Sequence, residues 1–345
     1  MVMQHNFLRE TVVSTRIRLA RNLAGFPFAS TMKEEHAKEV LYLVSNAFKS
    51  MHGKYQCYPI ERLSEHEKLA YQEAHLISPL LVKEEKKRAV ILSDDRKIAV
   101  MVNEEDHLRE QYVCKGFQLS EAYERLSALD NRLSGVLDFA YDSTMGYLTA
   151  CPSNLGTGMR ASVMVFLPGL TWSGGLKKLL PKLREKRMAL RGSFGEGSNA
   201  EGYLYQLSNE QTLGLSETEL LERVSEMTMM ICDQEVRARE KMLKTSETEL
   251  RDRCLRAYGT LTNCALLDME EFKAKIIDVR LGVFLKFFEV SNLDAFDDFL
   301  DDMQPATFCI NNNLEGESER FYDEIRAEAV GSTLRQLVQV VRNRH

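Results

Sequence analysis

Two arginines one residue apart, Arg16 and Arg18, stand in the run Ser14-Thr15-Arg16-Ile17-Arg18-Leu19-Ala20-Arg21. In a strand, alternate side chains share a face, so these two guanidinium groups would lie side by side. They repel unless an anion lies between them, and phosphate oxygens suit the planar fork of donors that each offers. A solvated edge strand with salt-bridged arginines would give the same spacing. A second cluster, Asn103-Glu104-Glu105-Asp106-His107-Leu108-Arg109, directly follows the apolar run Ile98 to Val102. A carboxylate at the end of a core strand can serve as a general base when partly desolvated. A polar loop capping the next helix is the plainer reading of those acids.

Two glycine-rich clusters come next, Cys151-Pro152-Ser153-Asn154-Leu155-Gly156-Thr157-Gly158-Met159-Arg160-Ala161-Ser162 and Arg191-Gly192-Ser193-Phe194-Gly195-Glu196-Gly197-Ser198-Asn199-Ala200-Glu201-Gly202. Each contains a formal G-x-G-x-x-A match. The dinucleotide fingerprint needs a strand before the glycines and a helix after them, and here strand-like sequence follows both. No Gly-Lys-Ser/Thr, H-R-D or D-F-G occurs in the chain. A phosphotransferase built on this sequence must therefore use arginines where a P-loop uses its backbone and lysine.

The elements that would position these clusters change character near residue 215. Before it, short strands alternate with helices. Ala89 to Leu92 and Ile98 to Val102, joined by the turn SDDRK, read as a hairpin, with further strands at Arg160 to Leu167 and Gly202 to Leu207. Helices are expected over Lys33 to Ser50, Leu119 to Leu133 and Leu176 to Arg187. After residue 215 the chain reads as helical. Ser216-x-x-Glu219 is a capping-box match opening a long run, and Ser246-x-x-Glu249 places a break near Thr245. Asp268 to Phe288 and Glu317 to Arg342 continue the helical pattern, and the first carries two apolar strips that something must cover. The cationic stretch Lys177 to Arg187 and the acids Asp294, Asp297, Asp298, Asp301 and Asp302 read as solvated helix faces.

Composition removes several classes of function. The chain has 345 residues, 44% of them hydrophobic, with a net charge of −6. A global polyanion-binding surface, and hence direct nucleic-acid binding, does not fit that balance. No apolar run approaches the roughly 20 residues of a membrane span. The start MVMQHNFLRETVV lacks the basic-then-apolar pattern of a secretory signal. Seven cysteines with no C-x-x-C pair fit a reducing cytoplasm better than disulfides or a thiolate zinc site. His66-Glu67 begins an H-E-x-x-H pattern, but position 70 is alanine, so no metal ligand set is read.

Four separated segments, STRIRLARN, VNEEDHLR, CPSNLGTGMRASV and RGSFGEGSNAEG, occur in the order found in the ATP:guanidino phosphotransferases, and the chain resembles that family. AHLISP at 74–79, YQLSNEQTLG at 205–214 and RAYGTLTNC at 256–264 resemble its bacterial protein-arginine kinase branch. The resemblance covers residues 9 to 285 well. It implies an α+β guanidino-kinase catalytic domain over 9–238, a mainly antiparallel sheet flanked by helices. A smaller α-helical domain over 239–345 would serve dimerisation and substrate docking. Only 13 residues precede Ser14, whereas small-guanidine kinases place a helical domain there, so a more open site for a polypeptide arginine is expected.

The resemblance also implies roles. Glu105 matches the catalytic base, Glu196 the second carboxylate that orients the guanidinium, and Cys151 a reactive cysteine whose thiolate nearby cations would favour. Arg16, Arg18, Arg109, Arg160 and Arg191 match phosphate-binding arginines, with Ser14, Thr15, Ile17, His75, Ala161, Ser162, Val163, Met164, Gly192, Ser193, Phe194 and Gly195 along the nucleotide. ATP is implied with Mg2+ held by phosphate oxygens and water. Protein substrates bearing arginine, an activator protein, Clp-type protease machinery and a homodimer are the partners it implies. The branch's C-terminal phosphoarginine motif R-D-x-x-R-A falls on Tyr322, Asp323, Arg326 and Ala327. Its first arginine is replaced by Tyr322.

Overall fold

The computed structural model of this chain describes residues 8–51, 54–83, 87–192 and 201–341. Ten of its strands precede residue 210: β1 (Val12–Arg21), β2 (Tyr55–Pro59), β3 (Ala89–Ser93), β4 (Ile98–Val102), β5 (Leu108–Lys115), β6 (Tyr141–Asp142), β7 (Gly146–Tyr147), β8 (Met159–Phe166), β9 (Met188–Gly192) and β10 (Leu204–Asn209). Eight of them form one antiparallel sheet in the order β2-β3-β4-β5-β1-β8-β10-β9. β1 lies inside the sheet and pairs Arg18 with Gln111 of β5 and with Arg160 of β8.

Alternation along these strands separates two environments. Ile17, Leu19, Ala161, Val163, Val165 and Leu207 face a large apolar core. Against it pack α1 (Glu34–Lys49), α4 (Leu119–Ser134), α6 (Leu176–Glu185) and the first part of α7 (Glu217–Asn263). α1 presents Ala37, Val40, Val44, Ala47 and Phe48 to that core at helical spacing, and carries Glu34 and Glu35 in its first turn and Lys49 in its last, as its dipole favours. Val40, Val44 and Phe48 each contribute roughly 1.5–3 kcal/mol on leaving water. On the opposite face, Val90, Leu92, Ala99 and Met101 are roofed by α2 (Glu65–Glu73) and α3 (Pro79–Lys83) through Tyr71, Leu76, Ile77 and Leu81. The rest of that face carries polar and cationic residues.

The expected hairpin, strands and helices before residue 215 are present with limits shifted by at most two residues, whereas the helices expected over Asp268 to Phe288 and Glu317 to Arg342 end at Phe284 and Leu337 and are followed by short strands. The early end of the cationic helix has a consequence for the site. The helix stops at Glu185, Arg187 takes a left-handed conformation (φ 54°), and strand β9 starts at Met188. A strand thus precedes the second glycine cluster, which sequence alone had read as following a helix.

The capping box at Ser216 and Glu219 opens α7. The helix breaks at Ser246 (φ −151°, ψ 35°), one residue from the expected position. The apolar core changes along α7, from a first cluster reaching Ala238 to a second beginning at Met242. The second core gathers α8 (Met269–Phe284), α9 (Leu293–Asp302), α10 (Pro305–Asn311) and α11 (Glu319–Leu337). It also holds a small strand pair, β11 (Phe288–Val290) with β12 (Val338–Val340), in a region expected to be all helical. The apolar strips of α8 are covered within the chain: Phe272, Ile276, Val279, Leu281, Val283 and Phe284 are all buried.

The acids of α9 are not a uniformly solvated face, as charge pattern alone implied. Arg9 binds Asp294 and, at 2.7 Å, Asp297, and Arg280 holds Asp297 at 3.1 Å. Lys115 of β5 pairs with Asp298 and donates to the Asp294 carbonyl at 2.8 Å. Asp301 and Asp302 stay exposed. Only Asp297 among these acids is buried, and it is matched by Arg9 and Arg280, whereas the Lys115 pair that ties α9 to the sheet is exposed.

Candidate active site

The sheet register decides which side chains meet. Arg18 lies opposite Arg160 and Gln111, Arg16 opposite Ser162, Gln206 opposite both Met164 and Arg191, and Ala20 opposite Arg109. By alternation Ser14, Arg16, Arg18, Arg109, Arg160, Ser162, Met164 and Arg191 therefore share the roofless face. Thr15, Ile17, Ala161 and Val163 point the other way. Thr15 Oγ1 donates to the Gly116 carbonyl at 2.7 Å, and the other three are core residues. Only their main chain can face a nucleotide.

A cleft of about 220 Å³ opens on this face, lined by Arg18, Glu105, Asp106, Arg109, Cys151, Ser153, Asn154, Gly158 and Arg160 among others. It brings together the first three sequence clusters. Gly158 has φ 64°, and a Cβ there would sit 2.7 Å from the Ala20 carbonyl oxygen and from Arg21 Nη1, so no larger residue fits.

The cations of the cleft are poorly matched by acids. Burial first, then Arg109 and Arg160, push Arg16 down to about 10. Burial, then Arg16, Arg109 and Arg160, hold Arg18 well below the ordinary arginine value against the opposing pull of Glu104. Burial and the nearby Arg191 lower Arg160. The buried Nε atoms of Arg18 and Arg160 have no hydrogen-bond partner among the described residues. Buried donors without partners cost free energy, and a polyanion would supply both the acceptors and the charge. The site therefore fits a triphosphate.

The acids beside the arginines divide the work. Glu104 is buried. Its Oε1 accepts from Arg109 Nη1 at 2.6 Å and from the Ser78 hydroxyl, and its Oε2 accepts the Glu105 backbone N–H at 2.9 Å. Glu105 is half-buried with its carboxyl toward the cleft. Burial, then the charges of Asp106 and Glu104, raise its pKa against Arg109 and Arg18. Asp106 Oδ1 accepts from Asn22 Nδ2 at 2.6 Å and from the Ala150 backbone N–H at 2.7 Å, which ties the acid loop to the segment entering Cys151. Cys151 is partly exposed, with Sγ 3.1 Å from Ser153 Oγ.

Sequence reasoning did not single out Glu104, Ser78, Gln111 or Ser208. Gln111 Nε2 holds the carbonyls of His75 and Leu76, and Ser208 Oγ accepts from Arg160 Nη2 at 3.1 Å. Strand alternation outward from Arg109 and Arg160 was the available signal. His75 is not on a helix face. It follows the end of α2 with φ 57°, and crowding by its surroundings and the charge of Arg16 hold its ring below the usual histidine value. Ser193, Phe194, Gly195 and Glu196 lie outside the described residues, and Gly192 is the last residue of β9.

The C-terminal motif stands apart from the cleft, on α11. Tyr322 contacts Cys309 Sγ at 3.0 Å. Arg326 Nη1 donates to the Leu267 carbonyl at 2.7 Å and to Asp323 at 2.8 Å, and Ala327 is buried. One of the motif's two cations is thus absent, and the Nη1 of the other is committed inside the domain.

Residues 38–238 match the family model described as ATP:guanido phosphotransferase, C-terminal catalytic domain. The chain belongs to the ATP:guanido phosphotransferase family. Residues 247–344 match the model described as protein-arginine kinase McsB C-terminal domain. A protein-arginine kinase of Clostridium kluyveri is 40% identical over 317 residues, covering 91% of this chain and 90% of the relative. One from Halalkalibacterium halodurans is 42% identical over 277 residues, covering 79% and 78%. Among solved structures, a duplicated taurocyamine kinase from Schistosoma mansoni is similar with a TM-score of 0.62 and 27% identity, over 75% of this chain and 39% of that one. A lombricine kinase shares the fold with a TM-score of 0.60 and 24% identity, over 66% of each chain. The mixed architecture, an antiparallel sheet flanked by helices with a helical C-terminal part, is the guanidino-kinase fold.

Proposed function

We propose that this chain is an ATP-dependent protein-arginine kinase, transferring a phosphoryl group to arginine side chains of proteins. One observation carries the reading: Arg18, Arg109 and Arg160 line the same cleft as Glu105, and the Nε donors of Arg18 and Arg160 have no partner among the described residues. ATP supplies the γ-phosphoryl group. Arg16, Arg18, Arg109, Arg160 and Arg191 grip the phosphates and offset charge on the equatorial oxygens as transfer proceeds. A guanidinium is a poor nucleophile until a proton leaves, its pKa being above about 12. Glu105 takes that proton from the acceptor nitrogen. The N–P bond then forms as the bond to the ADP oxygen breaks. Cys151 and Glu196 orient the acceptor guanidinium. Magnesium enters on the phosphate oxygens and water rather than in a dedicated protein cage.

The preference for polypeptide arginine over the free amino acid rests on the relatives named protein-arginine kinase, which align over most of both chains. The experiment is mass spectrometry of acid-labile arginine phosphorylation after incubation with Mg-ATP and a basic protein, with free arginine as the competing acceptor. Phosphoarginine on protein is expected. Glu105→Gln should retain nucleotide and lose on the order of 10²–10⁴ in rate. Faster phosphorylation of free arginine would make this a small-guanidine kinase, and ATP binding without turnover would make it an adaptor.

The same reading includes a cytoplasmic setting, an activator protein, and products passed to Clp-type degradation, checked by adding a Clp-type protease to the phosphorylated protein. It also places the domain limit at 238/239, where the apolar core changes. A homodimer through the C-terminal part belongs to it as well. Since α8 is covered by its own chain, Leu266, Ile310, Phe321 and Val340 are the large apolar side chains left exposed for a partner among the described residues of that part. Light scattering should give twice the chain mass, and a Phe321→Glu variant should shift toward monomer. A full-length protein that is monomeric at micromolar concentration sinks the dimer.

A further inference from the structure

The helix α10 begins with Pro305, which has no N–H, and its N-cap residue Gln304 makes no side-chain cap. The next two donors would be orphans of a helix start. They are taken by a residue from the other core. Glu73, the last residue of α2, accepts the Ala306 N–H at 2.8 Å on Oε1. Its Oε2 accepts the Thr307 N–H and the Thr307 hydroxyl, both at 2.9 Å. The C-terminal part is thus clamped to α2 by one carboxylate with both oxygens engaged.

From Glu73 the chain runs directly to the cleft. Ala74 is the C-cap of α2, and His75 turns the backbone left-handed at φ 57°. Gln111, on the strand of Arg109, holds the carbonyls of His75 and Leu76. Leu76 and Ile77 are anchored in the apolar roof. Ser78 then donates to Glu104 Oε1, the atom that also receives Arg109 Nη1 at 2.6 Å, while Glu104 Oε2 receives the Glu105 N–H at 2.9 Å. Every step from the Glu73 clamp to Arg109 and Glu105 is a short covalent segment or a hydrogen bond.

We propose that Glu73 is a positioning residue for phosphoryl transfer: by capping α10 it fixes the 74–78 turn, and through Ser78 and Glu104 it sets the placement of Arg109 and Glu105. The inference rests on the roles proposed for those two residues in the kinase reaction. It assigns the helical part a task in catalysis at an atom-by-atom contact, separate from dimerisation or substrate docking. A chain of contacts is not itself proof of coupling, so the test must read coupling directly.

The test is a double-mutant cycle in the full-length protein, with nucleotide-dependent kcat and KM measured for Glu73→Ala, Ser78→Ala and the pair. Each single change is expected to lower kcat/KM for ATP roughly tenfold, and the pair should be little worse than either alone, because both cut one path. Glu73→Gln, which keeps one acceptor oxygen, should be intermediate and guards against a poorly folded alanine variant. His66→Ala removes another polar contact of α2 with the C-terminal part, His66 Nδ1 to Glu315 at 3.2 Å, at the end of the helix away from the 74–78 turn. Its kinetics should match the unaltered protein. Normal kinetics in a folded Glu73→Ala or Glu73→Gln, or losses that multiply in the pair, would overturn the proposal. Glu105→Gln run alongside separates the two readings. If that variant stays active the site reading itself fails, whereas an inactive Glu105→Gln beside a normal Glu73→Ala removes only the clamp.

Discussion

Arg18 and Arg21 lie three residues apart on β1, one on each face of the sheet, and the protein treats their charges in opposite ways. Below the sheet Arg21 is almost fully enclosed. Its Nε and Nη2 meet the two oxygens of Asp130 at 2.9 and 2.8 Å, its Nη1 donates to the Ala20 and Thr157 carbonyls, and its guanidinium lies 3.5 Å from the centre of the Tyr147 ring. Burial pulls its pKa down, but the charge and hydrogen bonds of Asp130 outweigh that and hold it above the ordinary value. Beside this pair, burial and then Asp130 push the Glu110 carboxyl well above its usual range, against the pull of Arg21. Above the sheet Arg18 faces Arg16, Arg109 and Arg160 with Glu104 as the opposing acid. A cation given a bidentate acid on the spot holds structure. Cations crowded together with donors left over have their countercharge arriving from outside. That difference in partners, beyond the difference between a buried Arg21 and a half-buried Arg18, separates scaffold from site.

Replacing each arginine by methionine breaks the comparison most directly. Arg21→Met leaves Asp130 buried without its cation, and loss of one partner of a buried pair costs about 3–5 kcal/mol. Urea unfolding should show that loss. Arg18→Met removes a half-buried cation that lacks an equal partner, so folding stability should hold or rise. Phosphorylation should meanwhile fall by about 10²–10³, the scale for removing one transition-state donor. If the Arg18 change destabilises the fold as much as the Arg21 change does, the distinction between the two faces is wrong.

The two faces also differ in how far the sequence disclosed them. Arg16, Arg18, Glu105 and Cys151 stood in recognisable local patterns, and β1 placed both arginines on one face as their spacing required. Strand β9 was hidden because its five residues follow a cationic helix with no punctuating Gly or Pro, and only the left-handed Arg187 marks the reversal. Glu104 read as one acid of three in a row. What distinguishes it is a tertiary fact, that Ser78 and Arg109 arrive at the same oxygen. The pairing of α9 acids with Arg9, Lys115 and Arg280 joins residues far apart in the chain, which no local window contains. Local chemistry was legible, and the supports that long-range contacts build were not.

The smallest expected effect refines the upper face by changing one charge and little else. Asp106 raises the pKa of Glu105 second only to burial itself. Its Oδ1 alone accepts both Asn22 Nδ2 and the Ala150 N–H, so Asp106→Asn can keep both hydrogen bonds while losing the charge. A general base works when deprotonated, so activity is present above the Glu105 pKa and is lost as pH falls through it. Because that pKa is raised, the acid limb of kcat/KM should lie above the usual carboxylate range. Removing the neighbouring negative charge favours the ionised form of Glu105 and lowers its pKa. The acid limb of Asp106→Asn should therefore move to lower pH, by about one unit or less, with the plateau rate largely kept. A limb that stays in place would mean that Glu105 is not the group titrating there. A limb that moves upward would mean that the acid it reports is held ionised by Asp106 rather than opposed by it, and the base would have to be sought elsewhere on the cleft wall.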